Sequence, residues 1–422
     1  MNYKKKILKN GLRIIVVPIK NAPSVTVMSL IEAGSKYENK QNNGISHFLE
    51  HMCFKGTKKR PKSIDISREF DSMGAEHNAF TSQEMTAYWA KAHNKHTDKI
   101  LDIIADMYIG PTFPANDLET EKGVIVEEIN MYEDLPQRLV HEVFDELLYG
   151  DQPAGWSIAG TKENVRSFKR DDFINYRKDH YVSSATTVVV SGDVDAGQIF
   201  KKVEKAFAEM PTGKKADKKK VTEKQNGPTI KTRFKETDQT HLVIGVRAFD
   251  LYDKRMPALR LLSAVLGNGM SSRLFQKMRE ELGICYYVRS GVNDFTDHGA
   301  LIIAAGVDSS RVDEGIKGIL DELKRIRDQK IPDTELRKAK DFVIGNMYLG
   351  LESSDDLANF YGAQEILKQP IKTPKELEVE IEKITASDIA KVAKEVITNN
   401  GLNMAIVGKY KDDTRFKNIL KV

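Results

Sequence analysis

Asp117-Leu-Glu-Thr-Glu-Lys122 returns in loose form as Asp333-Thr-Glu-Leu-Arg-Lys338, and each copy opens a long helical pattern. The match is short, but the order of elements around it repeats too. Before the first copy, Lys6-Ile7-Leu8 and residues 12–18 read as strands flanking Asn10-Gly11, a dipeptide suited to a tight hairpin turn. Residues 24–31 continue the β-rich run. Helical patterns follow over 44–54 and 64–73, then strands over 76–80 and 86–92, then helices over 97–108 and 115–148. The last of these is expected to break near Pro136, since proline lacks the amide proton a helix interior needs. A strand over 185–190 and a helix over 196–209 close the set. From residue 230 the order starts again: strands (230–235, 241–246), helices (256–266, 272–282), strands (286–293, 300–305) and long helices (310–327, 334–367). Strands and helices arrive in blocks and not in strict alternation, which predicts an α+β fold over a doubly wound sheet.

The chain of 422 residues is too long for one ordinary domain, and two copies of a unit of about 200 residues account for it. The expected architecture is two homologous domains, each a mostly antiparallel β-sheet with helices packed on one side. They span 1–210 and 229–422, joined by a Lys-rich linker over 211–228. That linker holds lysines 214, 215, 218, 219, 220 and 224 and ends in Gly227-Pro228, the composition of a solvated connector. Lys+Arg 65 against Asp+Glu 61 leaves a net charge of +4, too small to argue for a nucleic-acid or membrane partner. Two cysteines, Cys53 and Cys285, exclude a disulfide scaffold and fit a reducing compartment. The basic N-terminus has no apolar stretch behind it, and no apolar run nears the roughly 20 residues that span a bilayer. A cytoplasmic location is therefore expected.

The chemistry concentrates in Gly44-Ile-Ser-His47-Phe-Leu-Glu50-His51-Met-Cys-Phe-Lys-Gly56. Histidines four apart share one helix face and can hold one zinc ion. Glu50 precedes the second histidine and is placed to take a proton from a water whose pKa the metal lowers to about 7. The order His-x-x-Glu-His inverts the commoner zinc-peptidase motif. A catalytic zinc keeps three protein ligands. The acidic helix around Glu119, Glu121, Glu127 and Glu128 is the best source of the third, with Glu121 and Glu128 seven apart on one face. Val124, Ile125 and Ile129 suggest that part of this helix faces a core. Cys53, about 200° around the helix from His51, reads as a structural thiol and not a ligand.

With these residues in place, the chain resembles the pitrilysin/insulysin family of zinc peptidases, most closely the processing-peptidase branch in its short bacterial form. The family's motif is followed after the same interval by a ligand glutamate: 76 residues separate His51 from Glu128. The resemblance implies His47, His51 and Glu128 as zinc ligands, Glu50 as general base and Glu121 as a supporting residue beside the metal. Residues 271–286, from Ser271-Ser-Arg-Leu-Phe to Cys285-Tyr286, look like the family's Arg–Tyr pair. The resemblance makes Arg279 an anchor for peptide carbonyls and Tyr286 a donor to the developing oxyanion. Asn78, Ala79 and Phe80 match the family's substrate-binding edge strand, where an extended peptide adds through main-chain bonds. Gly155-Trp-Ser-Ile-Ala-Gly-Thr161 matches a family segment read here as structural. Glu142 and Asp145 lie near where processing peptidases keep acids that favour a basic residue before the cleavage site. The spacing from Glu128 departs from the pattern around Pro136, and solvated helix charges are the competing reading.

The metal motif lies in the first half and the Arg–Tyr pair in the second, while longer relatives place four such domains in one chain. The expected assembly is therefore a homodimer that encloses peptide substrates, with one zinc per chain and no nucleic-acid or membrane partner. The alternative is a non-catalytic or structural zinc-binding subunit of a peptidase-like complex.

Overall fold

The computed structural model describes residues 2–422. Its strands are β1 (Lys4–Ile7), β2 (Arg13–Pro18), β3 (Ser24–Ile31), β4 (Glu76–Thr81), β5 (Thr86–His93), β6 (Thr186–Gly192), β7 (Thr229–Phe234), β8 (Gln239–Ala248), β9 (Cys285–Asp294), β10 (Gly299–Asp308) and β11 (Leu402–Gly408). The helices up to the lysine-rich stretch are α1 (Ile45–Met52), α2 (Ser63–Asp71), α3 (Thr97–Ile109), α4 (Ala115–Asp134), α5 (Pro136–Tyr149), α6 (Lys162–Ser167), α7 (Arg170–His180) and α8 (Ala196–Ala206). Beyond it come α9 (Met256–Gly267), α10 (Arg273–Phe275), α11 (Val312–Asp328), α12 (Asp333–Leu349), α13 (Ser354–Ile366), α14 (Pro374–Lys383) and α15 (Ala386–Val396). The break at Pro136 falls where expected, with the proline opening α5. Its counterpart in the second half was not legible as a break. There, Ser353 accepts from the amide of Asp356 and starts α13 as a new helix.

The repeat is real in the topology. The first sheet has the order β1-β2-β6-β3-β5-β4 and the second β7-β11-β8-β10-β9. Setting β1 aside, each runs first strand, last, second, fourth, third. In each sheet the first and last strands pair in parallel, β2 with β6 and β7 with β11, and the remaining neighbours are antiparallel. This is a mixed α+β fold with two mostly antiparallel sheets.

The chain forms two compact units, and neither is continuous in sequence. The first runs to Ile129 and includes Ser157–Lys219 and Tyr348–Lys375; the second comprises Asn130–Trp156, Lys220–Met347 and Glu376–Val422. The contiguous halves expected from the sequence thus differ from these units by two exchanged segments, one carrying α5 and the other α13. The reason is a second buried face on each sheet. In the second sheet, Leu242, Ile244, Leu301, Ile303, Met404 and Ile406 face the main helical layer of α9, α11 and α15. The alternate residues Val243, Ala300, Ile302, Ala304, Ala405 and Val407 pack on Val140, Val143 and Phe144 of α5. In the first sheet, Val25, Val27, Val188 and Val190 join the core with α1, α3, α7 and α8. On the opposite face Leu30 and Val189 meet α13 so closely that a Cβ on Gly362 would lie 2.8 Å from Leu30 Cδ1. A helical layer covers one side, as expected, and a single further helix covers the other. Strands buried on both faces read as continuous apolar runs, which is how β6, β10 and β11 appear in the sequence.

The lysine-rich stretch is only partly the solvated linker expected. Lys215 donates to Glu32 Oε1 at 2.6 Å, and Lys218 pairs with Glu84. Both acids are buried, and a buried carboxylate is costly without a counter-charge. No helix among the described residues is long and apolar enough to cross a membrane.

Candidate metal centre and active site

The first unit's site is built on α1. The chain enters this helix at Gly44, whose φ of +99° suits glycine, and a Cβ there would sit 2.6 Å from the Ala159 carbonyl oxygen. Gly160 is constrained reciprocally, its Cβ position lying 2.3 Å from the Asn43 oxygen, which supports the structural reading of 157–161. The amides at the start of α1 are satisfied by a side chain from outside the helix. Glu38 Oε2 accepts from Gly44 N at 2.8 Å, and Oε1 accepts from Ser46 N at 2.8 Å. A carboxylate there also complements the positive end of the helix dipole. Phe48, Leu49 and Met52 are buried and fix the rotation of α1, which leaves His47 and His51 together on the remaining face.

Glu128, on α4, meets both histidines. His47 Nε2 and His51 Nε2 each lie 3.6 Å from Glu128 Oε2, and the two rings stand edge to face with centroids 4.7 Å apart. A separation of 3.6 Å is too long for a hydrogen bond. It is close to the roughly 3.4 Å between ligand atoms on a tetrahedral zinc with bonds of about 2.0–2.2 Å. The donor set therefore fits zinc, and among the described residues it is the one such cluster of three. The three side chains keep 12%, 21% and 20% of their surface, so the centre is open to a substrate.

The surrounding groups hold this geometry. Glu121 Oε1 bonds His51 Nδ1 at 2.9 Å, and Lys55 Nζ lies 2.6 Å from Glu121 Oε2. With the His51 proton on Nδ1, the Nε2 lone pair points toward Glu128. Burial pushes Glu121 upward, but its bonds to His51 and Lys55 outweigh this and hold it below the usual carboxylate range. Burial disfavours the charged form of His51, yet the bond to Glu121 and the nearby acids leave its pKa raised. Glu50 is raised by burial, offset in part by a 2.5 Å bond from the Thr81 hydroxyl and by His51. Thr81 and Lys55 were missed from sequence as functional positions. Lys55 is one turn beyond His51, the spacing that could have pointed to it; Thr81 lies one residue past the strand expected over 76–80 and ends β4.

Asn78, Ala79 and Phe80 lie on β4, which pairs only with β5 and forms the edge of the first sheet. Asn78 is exposed, and Ala79 and Phe80 are half-buried. Cys53 is fully buried, consistent with a structural thiol. On α4 the expected core face needs correction: Ile125 and Ile129 are buried together with Glu121, but Val124 is 48% exposed.

Arg279 and Tyr286 lie in the second unit. Arg279 is on the wide π-type turn Gln276–Glu281 that follows α10, and its guanidinium donates to the Tyr286 carbonyl. Tyr286 belongs to β9, the edge of the second sheet. There Cys285 and Tyr287 pair with Val307 and Gly306, so Tyr286 is an unpaired bulge residue. A bulge turns a side chain out of the sheet, which explains why Tyr286 is 71% exposed. Glu142 and Asp145 are also in the second unit, and solvated helix charges they are not. Both are half-buried because α5 packs on the sheet; burial raises Glu142, and burial plus the Glu142 charge pushes Asp145 up to about 7.

Comparison with known proteins identifies the family. Residues 13–162 match the insulinase (peptidase family M16) model, and residues 167–343 match the peptidase M16 inactive domain. An uncharacterized zinc protease of Bacillus subtilis, YmxG, is 36% identical over 398 residues, covering 94% of this chain and 96% of the relative. An uncharacterized zinc protease of Rickettsia bellii is 31% identical over 408 residues, covering 96% and 98%. The crystal structure of a protease from Helicobacter pylori superposes with a TM-score of 0.90 at 22% identity, covering 96% of this chain and 99% of that one. A peptidase M16 inactive domain structure from Pseudomonas fluorescens gives 0.89 at 18% identity, covering 97% and 98%. The chain belongs to the insulinase (M16) family of peptidases and is a zinc metalloprotease.

Proposed function

We propose that the protein is an endopeptidase that cleaves peptides or unfolded segments, with zinc held by His47, His51 and Glu128. The observation that carries this reading is the approach of both Nε2 atoms to one Glu128 oxygen, with Glu50 one residue before His51. Bound zinc would supply Lewis-acid polarisation and a water acidic enough to ionise near neutral pH. Glu50 accepts the proton of the attacking water and returns it to the leaving amine. Glu121, backed by Lys55, keeps His51 in the ligating tautomer. A peptide adds to the free edge of β4 at Asn78, Ala79 and Phe80, its main chain continuing the sheet. Arg279 anchors substrate carbonyls and Tyr286 donates to the oxyanion, a role its outward turn on the bulge permits. Glu142 and Asp145 give a preference for a basic residue near the cut.

Because the metal centre and the Arg–Tyr pair belong to different halves of the chain, the working form in this reading is a homodimer that encloses its substrate and excludes folded proteins. The unpaired thiols Cys53 and Cys285 fit a cytoplasmic setting. The test is metal removal. A chelator should stop peptide cleavage while the far-UV spectrum stays native, zinc should restore the activity, and light scattering should give twice the chain mass. Unfolding on chelation would instead assign a structural zinc, and a monomeric active enzyme would remove the enclosed chamber.

A further inference from the structure

Thr81 ends β4, and its hydroxyl donates to Glu50 Oε2 at 2.5 Å. It is free to do so. Its cross-strand partner, Thr86, lies 3.5 Å away through Oγ1 and sends its own proton to the Ala33 carbonyl at 3.0 Å. The backbone that carries Thr81 is fixed on both sides. Behind it stands the ladder to β5; ahead of it, the carbonyls of Ser82 and Gln83 accept from the amides of Ser35 and Lys36. Gly34 packs so tightly on this turn that a Cβ would fall 2.2 Å from the Ser82 oxygen. Thr81 is β-branched, so its χ1 is stiff. A rigid donor therefore meets a glutamate that has three rotatable bonds.

We propose that Thr81 is the positioning residue of Glu50: it pins Oε2 and leaves Oε1 directed at the water. This rests on the reading of Glu50 as the base. A short bond to an ionised acceptor is among the stronger hydrogen bonds and is directional enough to select one rotamer. Because Thr81 also belongs to the strand on which the peptide adds, one residue ties the register of the substrate to the orientation of the base.

The experiment compares zinc-loaded full-length wild type, Thr81→Val, Thr81→Ser and Glu50→Gln on one peptide substrate, with zinc content measured for each. Thr81→Val keeps the shape and removes the donor. Its kcat should fall about 10–100-fold, the usual effect of removing an orienting partner, with KM within about two-fold and zinc unchanged. Thr81→Ser should recover most of the rate. Affinity for an uncleaved peptide should be equal in Glu50→Gln and in Glu50→Gln/Thr81→Val. Wild-type kcat in Thr81→Val, no recovery in Thr81→Ser, or a fall in peptide affinity matching the fall in kcat would each overturn the proposal. If Thr81→Val does not fold, Thr81→Ala replaces it in every comparison. An inactive Glu50→Gln beside a fully active Thr81→Val rejects the positioning role alone, whereas an active Glu50→Gln rejects the reading beneath it.

Discussion

Glu50→Gln is expected to lose nearly all peptide cleavage while retaining one zinc per chain. The substitution keeps size, burial and the contact with Thr81, since the glutamine carbonyl oxygen can still accept that bond. It removes the ability to take a proton. General-base catalysis contributes about 10²–10⁴-fold, so kcat should fall by at least that much, with KM little changed. Because Glu50 is not one of the three side chains converging on the metal position, zinc content should be unaffected. Measured turnover and metal content in the same preparation separate this outcome from loss of the metal.

His51→Ala is expected to lose both metal and activity. It deletes one of three donors and also strands Glu121, whose Oε1 bonds His51 Nδ1 at 2.9 Å. Removing an outer partner of a metal ligand costs about 10–100-fold in affinity, and removing the ligand itself costs more. Zinc should fall from one per chain to a small fraction after dialysis, and cleavage should fall below that of Glu50→Gln. Melting should remain cooperative, because Phe48, Leu49 and Met52, and not the histidines, anchor α1 in the core. Wild-type zinc content in His51→Ala would remove this histidine from the ligand set.

The His-x-x-Glu-His pattern was legible because its information is local, four residues of spacing on one helix, whereas Glu128 was singled out among the acids of α4 only by the family's interval of 76 residues. The repeat was legible as order of elements, and the strand order confirms it. The exchange of α5 and α13 was not. An amphipathic pattern says that a face is buried and does not name the sheet that buries it. The burial of Glu142 and Asp145 follows from that same packing and was hidden with it. The outward turn of Tyr286 depends on one unmatched residue between β9 and β10, a register detail that alternation alone does not specify. Lys215 and Lys218 read as solvated because their partners, Glu32 and Glu84, are more than 130 residues away. Thr81 escaped for a similar reason: its link to Glu50 joins a strand end to a helix 31 residues earlier.

The most direct measurement is an anomalous difference map recorded at the zinc edge from crystals of the purified wild-type protein. One strong peak per chain is expected, about 2.0–2.2 Å from His47 Nε2, His51 Nε2 and a Glu128 carboxylate oxygen, with no fourth protein ligand. A peak elsewhere, or one closed by a fourth side chain, would contradict the catalytic centre described here.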